Sequence, residues 1–426
     1  MGVGLAVIGL SLLVVAGTSR YLSGTPITPA MLVVAIGVIF GPLALDRISV
    51  SPSSSTVRSL AEATLAVVLF SDSSRVDLRA LMRELSMPSR LLGIGLPLTI
   101  LAGGLIASVT FGSISFSEAM ILGVVLAPTD AGLGSAVVTD ERLPQIVRQS
   151  LNVESGLNDG ICVPLLLILL TTIAGATAHP LRVIAEEIGY GLLFGLAAAI
   201  LAAAIVRTAG RHGLIDTKWR PVLPIATTIA GYGAASAFNG SGFIAAFVAG
   251  AAFGYLVHGE MDDAMRFTEE TGLVLDSVTF LVFGAVLLGP SLEHASWRMV
   301  VYAILSLSLV RMLPVAVSLL GTHARPATIA FLGWFGPRGL ASIVFAVIVE
   351  DAGISHSGSI VATVYLTVGL SVLAHGTSAA PLVNRYVRWF QRASTEGTPV
   401  MESRQVHEHR LRMKSASRRI QTTPRP

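Results

Sequence analysis

The chain has 426 residues, of which 53% are hydrophobic and only 13% charged, with a mean hydropathy of +0.73. A water-soluble globular protein carries about 25% charged residues, so that class is excluded. The net charge of +3 and the pI near 9.2 come largely from the C-terminal tail and speak of membrane-surface charge, not nucleic-acid binding. Cys162 is the single cysteine, so there is no internal disulfide and no thiolate metal cluster. HExxH, a Walker A loop and paired nucleotide-binding glycines are absent.

The apolar residues come in blocks near 20 residues long, the length that crosses a hydrocarbon core about 30 Å thick. They lack the alternation of barrel strands. The expected fold is an all-α polytopic membrane protein. Thirteen spans are expected near 3–17, 27–44, 56–72, 89–110, 117–138, 146–173, 181–207, 220–238, 241–258, 269–289, 297–320, 326–349 and 357–379. The first begins at Val3 with neither a basic leader nor a cleavage site and reads as a retained helix. The third is short, and only Asn239-Gly240 separates the eighth from the ninth, so twelve is the competing count. Basic residues decide between them. With the N-terminus outside, thirteen bases lie on inner connections and only Arg47, Arg58, Arg182 and Arg298 on outer ones, while the ten after Asn384 are inside. An outside start and an inside end require an odd number of spans.

Two spans are interrupted. The fifth contains Ala127-Pro128-Thr129-Asp130-Ala131-Gly132 and the twelfth Gly333-Trp334-Phe335-Gly336-Pro337-Arg338-Gly339. Proline removes a helix hydrogen bond and glycine relaxes the backbone, so both should unwind in mid-membrane. They are the fifth members of two six-span sets, about 3–173 and 220–390, joined by a linking helix near 181–207. Six spans per set and one linker invert the halves, and matching breaks in two halves point to a transporter with a midplane site. The transmembrane domain is expected to cover 1–390. Residues 391–426 are expected to form a basic, disordered cytoplasmic tail near anionic lipid, solvated rather than regulatory.

Glu154, Ser155, Asn158 and Asp159 recur at i and i+4 and form one polar stripe on the sixth span. A carboxylate at mid-bilayer costs about 2.5–3.5 kcal/mol even on lenient insertion scales, so Asp130, Glu154 and Asp159 together mark an ion or proton pathway. The fifth span faces them with Thr129, Asp130 and opened carbonyls. Such an oxygen cage suits hard cations. A carboxylate inside it holds either a proton or a cation; burial favours the protonated form and a nearby cation the ionised one, so the two species are coupled.

VESGLNDG, the upstream APTD, the downstream SGFIAAFVAGAAFG and the late GPRGLASIVFA resemble the monovalent cation/proton antiporter family. Within it they look most like the sodium/proton exchanger branch, whose sixth helix carries an Asn-Asp pair. The resemblance covers essentially residues 1–390. It implies that Asp159 is the carboxylate that alternately holds cation and proton, that Asp130 and the Thr129 carbonyl are ligands from the fifth helix, and that Ser155 adds a hydroxyl. These four are the expected Na+ site. Asn158 is implied to be structural, bridging to the unwound helix, and the Asn-Asp pair implies electroneutral one-for-one exchange. Asp72, after Phe70 near the end of the third span, resembles an acidic position that contributes indirectly or through water; it reads equally as an interfacial aspartate. Glu154 resembles the acid of an intramembrane ion pair, with Arg311 and Arg338 both candidates for its partner, because an unpaired buried charge is strongly unfavourable. Arg338 reads equally as balancing half-helix dipoles at the break. Ala131 departs from the family's usual Thr-Asp-Pro; Pro128 and Gly132 still break the helix, but the carbonyl geometry, and with it cation preference, can differ.

Glu62 is expected to face the bundle interior, Asp276 to sit near a helix start, and the histidines to lie at helix ends and in the tail. The Gly and Ala residues of 231–254 read as close helix packing. The expected protein is a homodimeric antiporter of the plasma membrane, N-terminus outside and C-terminus cytoplasmic. It exchanges Na+ (or Li+ or K+) for protons by an elevator or rocking movement of the fifth, sixth, twelfth and thirteenth helices. It is not an enzyme and uses no cofactor; its partners are lipid, cations and protons, not nucleic acid. The alternatives are a K+/H+ antiporter and a cation channel or sensor on the same scaffold. Two breaks at an acidic midplane site fit alternating access better than a continuous pore. An intramembrane aspartyl protease on Asp130 and Asp159 lacks its Tyr-Asp and Gly-x-Gly-Asp signatures.

Overall fold

The computed structural model describes residues 2–22, 25–48, 55–76, 87–174, 180–257, 261–395 and 401–403. The described chain is built from helices: α1 (Gly2–Leu22), α2 (Pro29–Phe40), α3 (Ser55–Arg75), α4 (Pro88–Phe111), α5 (Phe116–Val125), α6 (Ser135–Val138), α7 (Gln145–Ala174), α8 (Pro180–Arg211), α9 (Val222–Ala237), α10 (Gly242–Leu256), α11 (Asp262–Glu293), α12 (Trp297–Leu307), α13 (Leu309–Ser318), α14 (Pro326–Trp334), α15 (Leu340–Asp351) and α16 (Ser357–Thr395). Among the described residues seven stretches are long and apolar enough to cross a membrane: α1, α4, α7, α8, α11, α12 with α13, and α16.

The starts of these helices follow from their flanking residues. Thr28 caps α2, with Pro29 behind it, and Ser241 and Ser296 cap α10 and α12. At α5 the cap is a reciprocal box: Ser115 accepts from Glu118 N, and Glu118 accepts from Ser115 N at 2.8 Å. Gly112, at φ +61°, ends α4 in the left-handed region that glycine adopts without strain.

The helices sort into two groups by contact. α1, α2, α3, α8, α9, α10 and α11 pack on one another, and α4–α7 pack with α12–α16. Between the groups α3 lies against α7 and α15. Within its own group α3 packs closely on α10, where a Cβ at Gly250 would overlap the Phe70 carbonyl of α3.

Four boundaries differ from expectation for local reasons. α11 begins at Asp262, not near 269, because two acids in its first turn favour the helix N-terminus. The eleventh expected span is split at Ser308 (φ −109°, ψ −89°), whose hydroxyl donates to Ile304 O at 2.6 Å beside its own backbone N–H at 3.1 Å. α11 also carries a wide-turn stretch, Phe283–Leu288, where it crosses α2. α16 runs on to Thr395, past the expected domain end at 390. The expectation of a disordered 391–426 is corrected at 391–395, which are helical, and at Met401–Ser403. There Glu402 is buried and accepts from Arg325 N at 2.9 Å and Thr328 Oγ1 at 2.6 Å, capping α14, which has no side-chain cap of its own. The rest of that tail lies outside the described residues.

Candidate functional site

The two breaks lie side by side. α5 stops at Val125 and α6 starts at Ser135; α14 stops at Trp334 and α15 starts at Leu340. Asp130 N–H donates to Pro337 O at 2.8 Å, so the unwound backbones bond to each other. Each break also supplies the charge that the other's helix end needs. Asp130 Oδ1 accepts from Gly132 N at 2.6 Å and Leu133 N at 3.2 Å, and Oδ2 accepts from Leu340 N, at the start of α15, at 3.1 Å. Arg338 Nη1 donates to the carbonyls of Ala127 (2.5 Å) and Pro128 (3.2 Å), just past the C-terminal end of α5. Anions at helix N-termini and cations at C-termini are the stabilising sense. A Cβ at Gly339 would overlap the Asp130 carboxylate, so glycine is required where the breaks touch.

The partner of Glu154 is Arg311. Its Nη1 and Nη2 reach the two carboxylate oxygens at 2.5 and 2.8 Å, and both side chains are buried. This bidentate pair ties α7 to α13. Arg338 has the other role open to it, satisfying carbonyls at the break. Asn158 donates from Nδ2 to Thr129 Oγ1 at 2.7 Å and fastens α7 to the first break. Ser155 donates to Leu151 O at 2.8 Å. With Thr129, Asp130, Phe335 and Pro337 it lines a cavity of about 10 Å³, room for about one water. Asp159 is buried one turn beyond Ser155 on the same face of α7.

Two expected site residues carry further bonds. Asp130, expected to be a cation ligand, also receives three backbone N–H groups, two from Gly132 and Leu133 within its own break and one from Leu340 at the start of α15. Asp72 was open to an interfacial reading, but it is buried and paired with buried Arg75, whose Nε lies 3.2 Å from Glu269 of α11. The Asp72 backbone sits against the site helix: a Cβ at Gly156 would lie 3.2 Å from its carbonyl.

Other residues were missed. Asp276 is buried in the middle of α11, not near a helix start. His375 is buried in α16, four residues after Ser371, and not at a helix end. A Ser and a His at i and i+4 inside an apolar block were the signal. Outside the spans, Asp140 joins α6 to α7. Burial acts to raise its pKa, but hydrogen bonds from Arg142 at 2.6–3.2 Å outweigh it and hold the carboxyl below its usual value. Arg142 also donates to Asn384 Oδ1 of α16 at 3.0 Å.

A family-wide sequence profile described as "Sodium/hydrogen exchanger, transmembrane" matches residues 9–385. A K(+)/H(+) antiporter of Alkalimonas amylolytica is 25% identical over 379 residues, covering 86% of this chain and 63% of the relative. A Na(+)/H(+) antiporter of Pseudomonas aeruginosa is 28% identical over 349 residues, covering 75% and 79%. The chain spans 63%, 44% and 54% of the length of three curated relatives that it matches. The solved structure of the sodium proton antiporter MjNhaP1 from Methanocaldococcus jannaschii superposes with a TM-score of 0.75 at 20% identity, over 91% of this chain and 98% of that one. The two chains share a fold.

Proposed function

Because this chain belongs to the sodium/hydrogen exchanger family, we propose that it exchanges one monovalent cation, Na+ or Li+, for one proton at Asp159. One arrangement carries the reading. Asp159 stands one helical turn from Ser155 on the buried face of α7, and its neighbour Asn158 is bonded to Thr129 at the open backbone of the first break. The Asp159 carboxylate, the Ser155 hydroxyl and the Thr129 carbonyl form the oxygen set for the cation, with Asp130 and Arg338 holding the backbone open. Proton and cation compete for Asp159, and each leaves as the other binds. With one exchangeable charge per turnover the cycle is electroneutral.

The transporting unit has thirteen spans in two inverted repeats. It works as a homodimer in the plasma membrane with its C-terminus in the cytoplasm, and the group of α4–α7 and α12–α16 moves against the other helices. Potassium is the second reading, favoured by the similarity to a relative named as a K(+)/H(+) antiporter. The test is reconstitution in liposomes under a pH gradient with a pH-sensitive dye, adding Na+, Li+ or K+, with and without a valinomycin voltage clamp. Cation-driven proton movement that ignores the clamp and vanishes in Asp159→Asn supports exchange at this residue. Movement that survives the substitution, or no movement with any cation, sinks the assignment.

A further inference from the structure

The second break is closed from behind by α16. Arg338 N–H donates to Ser371 Oγ at 2.7 Å; Ser371 Oγ lies 3.1 Å from His375 Nδ1; and His375 Nε2 lies 2.9 Å from Trp334 O, the last carbonyl of α14. A carbonyl can only accept, so Nε2 donates to Trp334 O, while Nδ1 stands against both the Ser371 hydroxyl and, at 3.0 Å, the Ser371 carbonyl one turn back. A continuous line of contacts therefore links Arg338 N–H through Ser371 and His375 to Trp334 O. Both ends of the break are held by two side chains one turn apart. Trp334 adds a third tie: its Nε1 donates to Ser378 Oγ at 2.9 Å, and its ring lies 5.3 Å from that of His375. Ser371 and His375 are buried, so a lost link is not replaced by solvent.

We propose that His375 and Ser371 are positioning residues: together they staple the second break to α16 at a fixed opening. That opening fixes where Arg338 presents its guanidinium to the Ala127 and Pro128 carbonyls, and hence where the next carbonyl, Thr129, faces the cation. Neither residue touches the cation. The functional consequence rests on the exchange reading above; the staple itself does not.

The experiment has two arms on the full-length protein: wild type, His375→Gln, Ser371→Ala and the double variant. In detergent, amide hydrogen exchange of the peptide spanning residues 335–340 is followed by mass spectrometry. Each single variant should exchange there about tenfold faster than wild type, the equivalent of one hydrogen bond, with the peptides of α8 and α9 unchanged. In liposomes, the ratio of apparent KM values for K+ and Na+ should move toward unity in each single variant, and the double should be no worse than the worse single, because the chain acts as one unit. Unchanged protection at 335–340, or single effects that multiply in the double, overturns the proposal. An inactive wild type would refute the exchange reading alone, since the first arm is read without transport. Should the variants not fold, rapid exchange of the Arg338 amide in wild type overturns the staple and slow exchange upholds it.

Discussion

The first break, residues 126–134, and the second, Phe335–Gly339, trade charges, yet they are finished in opposite ways. The first keeps a cavity lined by Thr129 and Ser155, and Asn158 bonds it to the site helix through Thr129. The second is bonded to α16 through Ser371, His375 and Ser378. The sign of the central residue accounts for this. An acid at a break can cap helix starts and still share its surroundings with a cation. An arginine repels a cation and is stable where it meets carbonyls. Two similar Gly/Pro interruptions therefore give one open face, where the proposed cation set lies, and one braced face.

The sharpest way to break this comparison is at the binding face. Asp159→Asn should abolish exchange while the protein still assembles and melts near the wild-type temperature, as read by dye quenching and a thermal scan. Next is the pair beside it. Arg311→Met leaves Glu154 buried and unpaired, a loss of about 3–5 kcal/mol, seen as poor yield of monodisperse protein; adding Glu154→Gln should recover part of it. Asp130→Asn separates a cap from a ligand. As a cap it weakens bonds to Gly132, Leu133 and Leu340, lowering stability by about 1–3 kcal/mol with the cation KM little changed; a large rise in KM at unchanged stability would make it a ligand. Thr129→Val removes the acceptor of Asn158 and should lower stability by about 1 kcal/mol while sparing the backbone carbonyl. The smallest effect lies outside the spans. The depressed pKa of Asp140 contributes stability above the unfolded carboxylate value, and that contribution is lost as pH falls through the folded value. Arg142→Ala should remove it, below about 1 kcal/mol, and flatten the acid side of a melting-temperature profile.

Much of this was legible in residue spacing. Apolar blocks placed the helices because lipid demands length and internal hydrogen bonding, and Pro128 and Pro337 marked both breaks because neither can donate. Asp159, Ser155 and Asn158 stood out as a polar stripe where burial is unfavourable. Which arginine meets Glu154 was not legible: that depends on how α13 is set by the kink at Ser308, which no proline or glycine announces. Nor were the backbone bonds of Asp130 to Gly132, Leu133 and Leu340, since nothing in the sequence says which amides a carboxylate at a break will meet. His375 was passed over because the histidines as a set read as helix-end and tail residues.

The central claim is that cation and proton compete for Asp159, and the dependence of KM on pH tests it most directly. In proteoliposomes with equal pH on both faces, initial rates of isotope uptake would be measured against cation concentration across the acid range. Competition at one carboxylate predicts that the apparent KM rises about tenfold per unit fall in pH below its pKa, at constant maximal rate. A KM that ignores pH while the maximal rate falls would contradict it and separate the proton site from the cation site.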